Sequence, residues 1–191
     1  MEAAPAPRRA SPSVLVGIAL LGAAVSVALG VYGNDHTPTG KGILDDGLFF
    51  SGTLNMKAWL ASGVAALALV QLLTALRIYG RIPFPREMPG WLPTAHRLSG
   101  LSAFLLSLPV AYQCLWGLGF HFKDAPTRVA VHSVLGCTFY GAFATKMLLL
   151  RVGGAPRWVV PLAGGLTFSA VIGIWLTSSL WFFDNIGFPQ F

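Results

Sequence analysis

VLVGIALLGAAVSVALGVY, Val14–Tyr32, is a run of nineteen residues without a charged side chain. A hydrocarbon layer about 30 Å thick is crossed by roughly 20 helical residues, and a small water-soluble core has no comparable use for such a run. Outward from it, four more runs of helix length follow at Ala58–Tyr79, Leu98–Phe120, Val129–Leu150 and Trp158–Phe183. None alternates with period two as a barrel strand would. A helix satisfies its own backbone hydrogen bonds in lipid. The expected fold is therefore all-α: an integral membrane bundle of five transmembrane helices, multi-pass in the cell (plasma) membrane. Residues 1–12, rich in Ala and Pro, are expected to form a disordered cytoplasmic tail, and residues 13–191 a single five-helix transmembrane domain.

Composition agrees with lipid as the main solvent. Of 191 residues 54% are hydrophobic and 10% are charged, against about 25% charged in soluble domains. The connections set the orientation. Arg8, Arg9, Arg77, Arg81, Arg86, Arg97, Arg151 and Arg157 fall on one side, and Lys41, Lys57, Lys123 and Arg128 on the other. The richer side should be cytoplasmic, which puts the N-terminus inside and the C-terminus outside. Lys146 lies within the fourth run, near enough to its cytoplasmic end to snorkel. The basic excess sits where membrane insertion places it, so the pI of about 9.8 needs no nucleic-acid partner.

Several features refine this frame. Arg8 and Arg9 before an apolar run resemble a secretory signal, but the run exceeds the 7–15 residues of a signal core and ends in no Ala-x-Ala site; a retained anchor is expected. Trp59, Trp91, Trp116, Trp158 and Trp181 fall near expected interfaces, where indole rings settle, and Trp175 lies deeper. Gly22, Ser26 and Gly30, and again Gly165, Ser169 and Gly173, recur every fourth residue. Such stripes serve close helix contacts inside the bundle or an oligomer seam. The connection Gly33–Lys57 is rich in turn formers and long enough to fold over the bundle mouth. Ile82–Pro93, with four prolines, is expected to be an ordered, extended crossing.

Absent motifs narrow the chemistry. There is no GxxxxGK[ST], HExxH, GxSxG or CxxC, which removes most support for hydrolase and nucleotide-driven readings. Cys114 and Cys137 lie singly on neighbouring spans, and buried free thiols are the expected state over a disulfide.

The histidines remain. An ionisable group inside a span is costly enough to mark function by default. His132 sits about one turn into the fourth run, His121 closes the third on the same side, His96 opens the third on the cytoplasmic side, and His36 lies in the outer connection. As a structural residue, His132 would hydrogen-bond Gln113, Tyr112 or Ser133. As a functional one, its imidazole would ligate haem iron or another metal, or donate to a quinone carbonyl. His121, His96 and Gln113 are the other cofactor-binding candidates, and Gly136, one turn beyond His132, would leave room for a flat ring.

"HSVLG" at His132 is similar to a helix start of cytochrome b561-type membrane proteins, and "HRLSGLSAF" at His96 resembles another helix of that superfamily. The resemblance implies axial ligation of b-type haem. The chain departs from that pattern in its reversed helix order and in giving His96 no histidine partner on its own side. Through "MKAWLA", "AHRLSG" and "HSVLGCTFYGAFATK" the whole chain resembles a family of five-span actinobacterial integral membrane proteins, which implies a membrane location.

Two functions compete on these grounds. One is an electron-transfer component carrying haem b or serving quinol, with a respiratory or redox membrane partner. The other is a non-catalytic accessory or structural subunit of a larger membrane complex. A transporter is disfavoured, because the five unequal runs show no inverted repeat.

Overall fold

The apolar runs are helices, and four of the five helices begin before their run. In the computed structural model, which describes residues 10–40, 50–120 and 124–188, α1 spans Pro12–Asp35, α2 Thr53–Ile78, α3 Leu92–Tyr112, α4 Thr127–Leu149 and α5 Val159–Trp175. Wider π turns prolong α3 over Gln113–Leu118 and α5 over Leu176–Leu180, the second leading into the short α6, Trp181–Asn185. No strand occurs among the described residues. The proposed tail, apart from residues 10–12, falls outside them, as do Lys41, His121 and Lys123.

Local chemistry starts and bends these helices. Ser11 caps α1, its hydroxyl accepting from the Val14 amide at 3.4 Å, and Pro12 takes the first turn, where a missing N–H costs nothing. Pro93 does the same for α3, so the proline-rich crossing ends sooner than expected, at Trp91. That crossing is tethered by Arg77, whose guanidinium donates to the Pro85 carbonyl at 2.5 Å. Pro109 has no N–H to return to the preceding turn, and the π turn of α3 begins four residues later. In α5 the Thr177 hydroxyl donates to the Gly173 carbonyl at 2.7 Å and Ser178 to that of Ile174 at 2.7 Å. Hydroxyl back-bonding of this kind bends helices, and here the helix widens.

Among the described residues four segments are long and apolar enough to cross a membrane: α1, α2, Leu92–Leu118 and Val159–Asn185. This is a membrane protein by that measure. The fifth expected span, α4, is long but too polar to join them, since it carries His132, Ser133, Thr138, Thr145 and Lys146. Its position explains the exception. The main interfaces are α2 with α3, α1 with α4 and α4 with α5, so α4 is covered on both flanks. Its polar side chains meet neighbours where α1 meets surroundings: Leu20 and Val27 of α1 are each 64% exposed.

The small-residue stripe of α1 finds its use here. A Cβ on Gly22 would lie 1.8 Å from Thr145 Oγ1, and one on Gly141 would lie 2.0 Å from Ser26 Oγ. The two backbones touch, so this stripe is a seam within the bundle. On α5, Gly165 has open space around its Cβ position and Ser169 is exposed. The middle of the bundle is an apolar layer of Val64, Ala68, Phe139, Ala170 and Val171.

The two ends differ. At one lie the start of α1, the crossing at 79–91 and the α4–α5 connection, joined where the Ala10 amide donates to the Gly154 carbonyl at 3.1 Å. At the other, the chain after α1 folds back on the end of α3, with Thr39 and Gly40 amides donating to the carbonyls of Trp116 and Gly117 at 3.2 and 3.1 Å. Gly119 closes α3 with φ +58°, and a side chain there would collide with Pro38. The described part of the long connection does fold over the bundle, as its turn formers suggest.

Candidate functional site

His132 projects from the second turn of α4 toward the widened end of α5. Its Nδ1 lies 3.2 Å from the Thr177 hydroxyl. Two of the three expected partners lie otherwise: Tyr112 stacks on Trp116 at 5.8 Å, and Gln113 is 4% exposed and folded over Gly117 of its own turn. The difference arises because the π turn rotates Thr177 inward, which helical periodicity at 3.6 residues per turn does not anticipate. The same turn leaves the Thr177 carbonyl free to accept from Arg128 Nη1 at 2.6 Å. Arg128 also lies over the Trp181 ring, 3.8 Å from its centroid, a cation–π contact that fixes the guanidinium at the mouth of the bundle.

These groups surround a cavity of about 240 Å³. Lys57 from α2, Cys114 from the π turn of α3, Arg128 and His132 from α4, and Ser178 and Ser179 from the π turn of α5 supply its polar lining. Among the described residues no carboxylate lines it. Cys114 is the hub, its thiol interacting with both Lys57 and His132. A smaller, mainly apolar chamber of about 100 Å³ adjoins it between α2, α3, α4 and α5. His132, Cys114 and Ser133 border both spaces, while Val64, Phe139 and Trp175 line the inner one. Trp175 is held by its indole N–H, which donates to the Ser62 hydroxyl at 3.0 Å. A Cβ on Gly136 would have nothing within 4 Å, so that residue leaves space beside His132 as expected. The arrangement offers donors and positive charge at its mouth and an apolar slot behind them. It suits an amphipathic molecule whose oxygen-bearing head stays at the mouth.

The other predicted residues lie elsewhere. His96 is at the opposite end, its Nδ1 2.8 Å from the Thr74 hydroxyl while its carbonyl accepts from Gln71 Nε2. It fastens α3 to α2. His36 caps α1, stacks on Tyr32 at 5.1 Å and meets the Trp116 ring at a tilt at 4.9 Å, away from the cavity. His121 lies outside the described residues. Gln113 lines neither space. Cys114 and Cys137 are both free, and both border the inner chamber. Among the described residues no three potential metal ligands converge. Sequence reasoning missed Lys57, Cys114 and Arg128 as site residues. The signal was available: two cations at the outer edges of the second and fourth runs and a thiol in the outer half of the third, all near the end that holds His132.

Compared with known proteins, the chain matches a family of unknown function, DUF6529, over residues 14–190. No curated protein and no solved structure matches it.

Proposed function

We propose that this chain, which belongs to that family, is a membrane-embedded electron-transfer component that binds a quinone-class amphiphile at the His132 cavity. The observation that supports this reading is the two-part space: donors from Lys57, Cys114, Arg128 and His132 at its mouth, and an apolar slot behind. Quinone carbonyls would accept from the imidazole and the ammonium, and the positive charge would favour the reduced, anionic head over the neutral one. The protein's part is to hold the head still, exclude water and pass a proton at His132.

The haem form of the reading asks for two imidazoles facing each other across a ring. The described residues bring one, His132, to the cavity, so the quinone form is the better supported. The reading includes five spans, with α4 crossing between α1 and α5. It places the N-terminus in the cytoplasm and the His132 end at the outer leaflet of the plasma membrane, by the arginine bias.

The test is titration of the purified protein in mild detergent with a short-chain naphthoquinone, read by quenching of tryptophan fluorescence. Saturable quenching is expected, with Kd raised about tenfold or more in His132→Leu, the size of one good buried hydrogen bond to a charged or polar partner. Absence of saturable binding would sink the quinone reading. A reducible b-type absorption spectrum that vanishes in His132→Ala would replace it with haem.

A further inference from the structure

The fourth helix carries His132, Phe139 and Lys146 at intervals of seven residues. Seven residues are close to two turns and advance roughly 10 Å along the axis, so the three form one stripe on α4. Its middle member is 5% exposed. Phe139, with Val64 and Val171, lines the chamber on the His132 side, and the same three residues line a second cavity of about 60 Å³ on the His96 side. Two spaces entering from opposite halves thus end on opposite faces of a single apolar layer.

Each space holds groups able to pass a proton. On the His132 side are the imidazole, the Cys114 thiol with Lys57, and deeper in, the Tyr140 hydroxyl 2.9 Å from that of Ser107. On the His96 side is the Lys146 amine, with the Gln71 amide beside it held by donation to Ser99 at 2.8 Å and to the His96 carbonyl. Among the described residues no carboxylate lines this second cavity, so they offer the Lys146 amine no anion there. An amine so placed is costly in a span, and intramembrane ionisable groups mark ion and proton routes.

We infer that α4 carries a proton path between the two halves of the bundle, closed in this conformation by the Phe139 layer. An apolar constriction excludes water and so interrupts a hydrogen-bonded chain without any moving lid. When water bridges the layer, a proton passes from donor to water to acceptor along the stripe, down its electrochemical gradient, and no other reactant is consumed. The Lys146 amine can release and regain a proton but cannot hand on a metal cation, which makes the path selective for protons. The inference concerns the layer and Lys146 and holds whether or not the His132 cavity takes a quinone.

The experiment is proton flux into sealed vesicles holding the full chain and a trapped pH dye, driven by a valinomycin potassium potential. Phe139→Ala is expected to raise the flux at least tenfold over the unsubstituted protein. Adding Lys146→Met should return it to within twofold of the starting value, and Phe139→Leu, which keeps the layer filled, should leave it there. Val171→Ala opens the same layer from α5 and serves if Phe139→Ala does not elute as a folded species. Unchanged flux in the folded layer variants overturns the inference. So does an increase that survives Lys146→Met, since that is a leak without a proton relay.

Discussion

The two ends of the bundle are both polar, yet their polar groups are spent differently. At the His96 end Thr74, Gln71, Ser99 and His96 satisfy one another across the α2–α3 interface. At the His132 end Lys57, Cys114, Arg128 and His132 come from three helices and border an open cavity. A histidine opening a helix and a histidine one turn into another read alike in the sequence. One is consumed by holding helices together, and the other faces space. Polarity in a span therefore identifies function only when the neighbouring helices leave the group a free side.

That contrast can be broken most completely through its orientation. With Cys114→Ser and Cys137→Ala as background, a cysteine at Thr39 should label with a membrane-impermeant thiol reagent in intact cells, and one at Ala155 should not. Labelling at Ala155 alone would put the His132 cavity on the cytoplasmic side. The next effect is on stability. Gln71→Leu removes the amide that ties α2 to α3, and thermal denaturation in detergent should show a loss of about 1 kcal/mol, since interhelical hydrogen bonds in membranes are worth about 0.6 kcal/mol each. Quinone affinity should stay the same. If affinity falls as well, the two ends are coupled and the contrast fails. The smallest effect is expected at Thr177→Val, which removes the hydroxyl facing His132 and should cost at most about 0.6 kcal/mol of stability. Its signature is an affinity loss exceeding the stability loss, because the imidazole loses the contact that orients it.

Much of the fold was legible because membrane spans are written in run length. All five runs are helices, with ends shifted outward by up to six residues where polar side chains extend a helix beyond the apolar core. Gly22 and Ser26 were legible as a close-contact stripe, but their partner was not: Gly141 and Thr145 lie over a hundred residues away. Of the site, His132 and the space beside Gly136 were readable from depth along α4. Gln113 and Tyr112 as its partners were not borne out in position, because a π turn in another helix decided which hydroxyl reached the imidazole.

By itself the sequence determined a helical membrane bundle, the depth of each polar residue along its helix, and where backbones can approach. Each of these depends on local composition and on rise per residue. Tertiary structure decided which polar groups share a cavity, which are used up between helices, and that two cavities meet at Phe139. Those outcomes depend on helix rotation and neighbour order. Helices that are apolar around most of their circumference carry little directional signal for either, and the choice falls to side-chain packing across the interfaces.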